Sequence, residues 1–342
     1  MRNSPARHVF FAFLALWLGV SESIANPKED VKEQAKAALT RAAELTDLKA
    51  QGSSPFHLSS RVQLSIRGPL DTQGTYVLDW ESAERLRGEI AFPGFSEVEV
   101  ASDGKLWRLR SLAYPPLRVW QLRELMDLKK ELLFDLKKDV KKIRTSDKNG
   151  THSLCIEFRR DPGSFTTCID SATGAPLSIE EDSPVVKKRS EYSNYVTIGG
   201  KMYPQDMRYF EGEKQLVALH VEELNQASTI NANLFSPLPG IDAQPWCSAP
   251  QPPRMLHFLA VHPNSPSRSD YDPSTNKGRV GLFATIGTDG RLKNLHIVQS
   301  VSPTLDAAVL KGAEEVRYEP SACNGIPIEH ETVEWVEYFT QP

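Results

Sequence analysis

The stretch Val280-Gly281-Leu282-Phe283-Ala284-Thr285-Ile286, followed by Thr288-Asp289-Gly290-Arg291, sets the fold of the C-terminal region. Val280, Leu282, Ala284 and Ile286 alternate with Gly281, Phe283 and Thr285, the period of two that marks a strand with one buried face. Asp289-Gly290 is a two-residue hairpin signal, with positive φ expected at both positions. Leu292 to Gln299 reads as the return strand, carrying Leu295 and Ile297 on one face. Ser302 and Pro303 supply an N-cap and a proline at the first helical position. Leu305, Val309, Ala313 and Val316 then form one apolar helical stripe. Beyond the loop Pro320 to Gly325, a final strand from Glu329 to Phe339 carries Val333, Trp335 and Phe339 on one face.

Working outward, the 342-residue chain is long enough for two or three domains, and its net charge of -4 mixes both signs. No clustered basic face marks a nucleic-acid partner. The run Lys137 to Lys142 reads as a solvated face or turn. At the N-terminus, Arg2, Arg7 and His8 precede the apolar run Val9 to Val20, and Ser23-Ile24-Ala25 offers small residues for cleavage. This pattern is a secretory signal peptide, with a retained anchor as the alternative, and it implies a periplasmic or secreted protein.

Between these ends, Pro27 to about Leu48 reads as a helix with a capping box at Asn26-Pro27-Lys28-Glu29. Short strands follow at Arg61–Ile66, Gly74–Trp80, Arg85–Phe92, Ser96–Ala101 and Lys105–Arg110. A helical patch, Gln121 to Lys138, separates them from strands at Ser153–Phe158, Phe165–Asp170, Ala175–Glu180, Lys187–Thr197, Lys201–Phe210 and Gln215–Glu222. The divisions are a signal peptide (1–25), a β-rich domain (26–240), a proline-dense linker (241–254) and a C-terminal domain (255–342). The polar stretch His262 to Lys277 reads as a loop within the last of these or as a mobile segment.

Four cysteines in an exported chain invite pairing. Counting out from the turn Asp161-Pro162-Gly163 places Cys155 opposite Cys168 on adjacent strands. Cys247 and Cys323 are the candidates for a second bridge, from linker to C-terminal domain.

The residues Gly278-x-Val280, Ile286-x-x-Asp289-Gly290, Ser300, Leu305-Asp306, Tyr318-x-Pro320, Ala322 and Gly325-x-Pro327 resemble the C-terminal domain of TonB-type proteins. Tyr318 stands where that family commonly has Phe, and Cys323 sits in a loop that usually lacks cysteine. The resemblance implies a small α+β domain that docks an extended peptide of an outer-membrane receptor, or another envelope protein, against a sheet edge. Here that edge would be the strand bearing Val333, Trp335 and Phe339.

Upstream, Gly74-x-x-x-x-x-Trp80, Arg85-Leu86-Arg87, Asp103-Gly104-x-x-Trp107 and Cys168-x-Asp170-x-x-x-Gly174 lie within a helix-and-strand order that resembles the LolA/LolB-like periplasmic carriers. That likeness implies a curved antiparallel half-barrel around an apolar cavity plugged by helices. The whole is then α+β, a half-barrel with helices followed by the small TonB-like domain. Trp80, Phe92, Phe95, Trp107, Tyr114 and Trp120 read first as core-filling aromatics. Trp80, Phe92 and Trp107 are the candidates to line a cavity for a lipid or lipoprotein.

The search for catalysis is empty. G-x-S-x-G, phosphate-cradling glycine loops and H-E-x-x-H are all missing from the sequence. His330-Glu331 and His220-Val221-Glu222-Glu223 lie on strands rather than in metal spacing. Asp289 and Asp306 read as turn and helix-start carboxylates rather than an acid–base pair. The reading is a non-enzymatic envelope binding protein without cofactor or metal. A soluble carrier is the alternative, and a hydrolase without a recognised motif ranks last.

Overall fold

The computed structural model describes residues 27–133, 139–148, 150–159, 163–257 and 278–338. The signal segment, the stretch His262 to Lys277 and Phe339 lie outside them. Helix α1 (Pro27–Thr46) leads into β1 (Phe56–Leu64), β2 (Thr72–Ser82), β3 (Arg85–Phe92), β4 (Phe95–Ser102) and β5 (Lys105–Arg110). Helices α2 (Leu117–Met126) and α3 (Leu128–Leu133) follow, then β6 (Val140–Lys148), β7 (Thr151–Arg159) and β8 (Ser164–Asp170). The first half ends with β9 (Pro176–Asp182), β10 (Lys187–Ile198), β11 (Lys201–Glu211) and β12 (Lys214–Gln226).

These strands, with the two-residue β13 (Gln244–Pro245), form one open sheet in the order β13-β5-β4-β3-β2-β1-β12-β11-β10-β9-β8-β7-β6. The register fixes which side chains face inward. Phe56 pairs with Trp80 and Leu58 with Leu78, while Val62 and Leu64 pair with Leu219 and Val217. This face receives Leu39, Ala42 and Ala43 of α1, Leu122 and Leu125 of α2, and Leu128 and Leu132 of α3, all buried in one cluster. Each leucine so buried contributes about 2 kcal/mol.

Two sequence expectations change here. Of the two readings of the lysine-rich segment near Lys141 the turn is excluded and the solvated face holds, because Lys141 and Lys142 are exposed on edge strand β6, which pairs only with β7 among the described residues. Lys141, Lys142 and Arg144 charge that edge, a composition that discourages sheet-to-sheet association. The single helix expected from Gln121 begins earlier and is broken at Asp127, whose φ of -89 and ψ of 61 end α2. Glu131 lies in the second piece, where burial and then the neighbouring Glu124 raise its carboxyl to about 7. The folded state therefore holds this proton more tightly than the unfolded state, and stability falls as pH rises from the ordinary carboxylate range to about 7. Glu131→Gln is expected to flatten that slope, read from melting temperatures between about pH 5 and about pH 8. An unchanged slope would contradict it.

The C-terminal domain consists of β14 (Arg254–His257), β15 (Gly278–Ile286), β16 (Leu292–Gln299), α4 (Pro303–Ala313), β17 (Arg317–Glu319), β18 (Ala322–Cys323), β19 (Ile326–Pro327) and β20 (His330–Tyr338). Its main sheet has the order β16-β15-β20, and β14 pairs with β17 beside it. Ser302 caps α4 by accepting the Leu305 N–H, with Pro303 in the first turn. Leu305, Val309 and Ala313 pack on Val280 and Leu282. The expectation of one buried face on β15 is corrected, because Arg279, Phe283 and Thr285 are buried as well. Their face is covered by the N-terminal half, as described below.

The β15–β16 turn also differs from the expected pair of positive φ angles. Only Gly290 is left-handed, at φ +72, and its N–H donates to the Gly287 carbonyl across the turn. A Cβ at position 290 would lie 2.0 Å from the Tyr318 carbonyl oxygen. Gly290→Ala is therefore expected to cost roughly 1–3 kcal/mol in strain. Urea denaturation reads the loss, and an unchanged midpoint would refute the assignment.

Candidate functional site

The final strand, β20, runs antiparallel to β15 from Ile286 opposite His330 to Gly278 opposite Tyr338. Among the described residues it pairs with no other strand, so its outer edge is free. Its two faces have different fates. Val333 lies opposite Phe283 and Trp335 opposite Gly281, on the side turned toward the N-terminal half. Trp335 lies across Gly281, where a Cβ would come within 2.9 Å of the indole. The Arg279 guanidinium stacks 3.9 Å from the Trp335 ring, and Lys188 of β10 approaches it at 5.7 Å. The side chains singled out from sequence as docking contacts thus belong to a face already covered. Phe339, the third of them, is not among the described residues.

What covers this face is a clamp between the two halves. Tyr114, just before α2, stacks on Phe283 at 5.6 Å and on His296 at 4.1 Å, with Trp120 of α2 tilted against Phe283 at 6.2 Å. On one side Glu331 accepts two hydrogen bonds from Arg110, at 3.2 and 3.0 Å, and pairs with Arg108 at 3.3 Å. Arg110 and Arg123 both donate to Glu97, and Arg108 donates to Glu99 at 2.5 Å. Glu97 is only 2% exposed at its side chain and Arg110 8%, so this network is largely withdrawn from water. Burial works against the Glu99 charge, but Arg108 and Arg123 outweigh it and hold the carboxyl below its ordinary range. Across the clamp, Arg279 donates to Glu211 of β11 at 2.5 Å, and Gln121 and Tyr209 donate to the same carboxylate oxygen.

Two disulfides complete the arrangement. Cys155 and Cys168 face each other across β7 and β8, with Cα atoms 4.0 Å apart. Cys247 joins Cys323 over a Cα distance of 5.8 Å. The residues flanking Cys247 are fastened to the large sheet. Gln244 and Pro245 add to β5, the Trp246 indole donates to the Ala83 carbonyl, and Ser248 donates to Glu84. The proline-dense segment is thus fastened to the large sheet on either side of Cys247, and to the C-terminal domain through Cys247 itself.

A cavity of about 380 Å³ lies on the concave face, walled by Phe56, Leu58, Tyr76, Leu78, Leu86, Ile90, Leu122 and Met126. Its lining also includes the polar side chains of Lys49, Glu97, Glu99, Arg123 and Asp127. The three aromatics proposed for such a cavity lie elsewhere. Trp80 stacks on Phe56 at 5.4 Å inside the core. Phe92 packs beside Ile90 and Phe95, and Trp107 packs with Val100 and Phe235 on the opposite face of the sheet. The alternation that placed Trp80 inward also places Leu78 and Tyr76 inward, and these are the cavity residues that sequence reading passed over.

The remaining candidates have structural partners. Asp289 accepts the Arg291 N–H in its turn, and Asp306 accepts from Ser300 and the Val301 N–H at the start of α4. His220 pairs with Asp206 at 2.8 Å. Among the described residues no group of three His, Cys, Asp or Glu side chains comes together around a metal position, and no helix is long and apolar enough to cross a membrane.

No curated protein matches the chain. Among solved structures, a LolA superfamily protein from Nitrosomonas europaea is 14% identical, covering 59% of this chain and 97% of its own, at a TM-score of 0.39. A DUF1329 family protein from Desulfovibrio piger is 12% identical over 60% of this chain and 96% of its own, at 0.40. An outer membrane lipoprotein-sorting protein domain from Vibrio parahaemolyticus is 13% identical over 61% and 97%, at 0.35. These TM-scores are low, and the half-barrel is defined by its own strand order. Residues 274–338 match the family described as the C-terminal of the Gram-negative bacterial TonB protein.

Proposed function

We propose that the protein is a non-catalytic binding protein of the Gram-negative-type cell envelope whose C-terminal domain docks an extended segment of a partner by strand addition to β20. The partner is an envelope protein or an outer-membrane receptor peptide. The observation that carries this reading is the outer edge of the nine-residue strand β20, which no other strand among the described residues pairs. Unpaired N–H and C=O groups along an edge are a template for another strand, and a docked strand satisfies them. The clamp supports the same reading, because it immobilises β20 through Glu331 and Trp335 while leaving that edge unpaired, so little ordering cost remains for binding. Two disulfides fit an oxidising compartment such as the periplasm.

An extended octapeptide of alternating valine and threonine tests this against the purified chain. Binding is expected to be saturable, and N-methylation of the peptide on its β20-facing amides is expected to abolish it. Equal binding of the methylated peptide would exclude strand addition.

The cavity favours a second reading, a carrier of lipid or lipoprotein, because its lining is largely apolar and includes the cationic Lys49 and Arg123. Native mass spectrometry of the purified chain before and after delipidation separates the two. A co-purifying acyl ligand supports the carrier, and neither retention nor uptake of lipid would sink it.

A further inference from the structure

We propose that β20 selects a segment bearing a lysine or arginine, whose side chain seats between Tyr318 and Glu334 in the groove beside the strand; this rests on the strand-addition reading above. The groove, of about 260 Å³, lies on the face of β20 opposite the clamp. Met255, Val316, Tyr318 and Val336 give it an apolar floor, with Glu334 along β20. An added strand places every second side chain on this face.

Three observations give the groove its preference. Tyr318 lines the groove and is 6% exposed, and its hydroxyl makes no well-formed hydrogen bond, with the Glu334 carboxylate as a polar neighbour. Glu334 accepts from Thr332 at 3.1 Å, but among the described residues it has no ion-pair partner. Glu331, on the other face of the same strand, is by contrast paired by Arg108 and Arg110. Burial, with the Glu334 carboxylate beside it, holds the Tyr318 phenol protonated well above its ordinary range. The site therefore offers a phenol oxygen and a carboxylate, acceptors that suit a cation with several N–H donors. An acidic side chain at the same place meets like charge in a partly dry groove.

Fluorescence anisotropy of three labelled octapeptides against the full chain tests this. All share alternating valine and threonine, and differ only in a groove-facing lysine, norleucine or glutamate. The lysine peptide is expected to bind about tenfold more tightly than the glutamate peptide at low salt, with the ratio narrowing as salt is added. Glu334→Gln is expected to remove most of the ratio. Tyr318→Phe is expected to weaken the lysine peptide and leave the norleucine peptide unchanged. Equal affinity for all three peptides would overturn the selection while strand addition stood. Failure of every peptide to bind would overturn both.

Discussion

Replacing Cys247 and Cys323 together with serine is expected to lower the stability of the C-terminal domain by about 4–5 kcal/mol. The estimate follows from the loop that the bridge closes, 76 residues in sequence, through the chain entropy it removes from the unfolded state. The position of the bridge adds a consequence for arrangement. Trp246 and Ser248 hold the linker to Ala83 and Glu84, so Cys247–Cys323 fastens the small domain to a point already fixed on the large sheet. Denaturant unfolding in oxidised and reduced states reads the loss, with proteolysis of the linker region as a second readout. By the same relation the Cys155–Cys168 bridge, which spans 13 residues, contributes about 3 kcal/mol. If loss of the shorter bridge costs more, the constraint on the unfolded chain is not what matters.

Glu211→Ala is expected to destabilise the protein by about 3–5 kcal/mol, because it strands a buried charge. Arg279 has a side chain only 3% exposed, and Glu211 is its carboxylate partner at 2.5 Å. The same carboxylate also satisfies Gln121 and Tyr209, so truncation leaves three donors without their acceptor. The effect should loosen the two halves from each other, exposing Trp335 and shifting its fluorescence to the red. A paired replacement, Arg279→Met with Glu211→Gln, is expected to recover much of the loss, since removing both charges removes the desolvation cost as well. If Glu211→Ala leaves both the midpoint and the emission unchanged, this contact does not hold the domains together.

Much of the C-terminal fold was legible because its signals are local. Alternation from Val280 to Ile286, the Ser302-Pro303 helix start and the glycine at position 290 each act over a few residues. The charged strand β6 was not legible, because lysines on an edge look like lysines on a loop until a neighbouring strand is known. The phase of β4 was hidden for a related reason. Val98 and Val100 would be expected to mark the core side of Ser96–Ala101, but they pack toward Trp107 and Phe235. Glu97 and Glu99 face inward instead, neutralised by Arg108, Arg110 and Arg123. A strand covered on both faces gives period-two alternation no single meaning.

The candidate site was legible only in outline. That the last strand is an edge was implied by the resemblance to TonB-type domains, but the cover over Val333 and Trp335 depends on contacts such as Arg110 to Glu331, 221 residues apart. No local pattern records such a contact. The groove beside Tyr318 was equally hidden, since Met255 reaches it from β14 and Val336 from β20.

Hydrogen exchange across residues 330–338, with and without the lysine-bearing octapeptide, tests the central claim most directly. Strand addition predicts that the outward-facing amides of β20 slow strongly on binding, while those already paired with β15 change little. Binding that leaves every β20 amide exchanging at its free rate would contradict the account and place the partner elsewhere on the molecule.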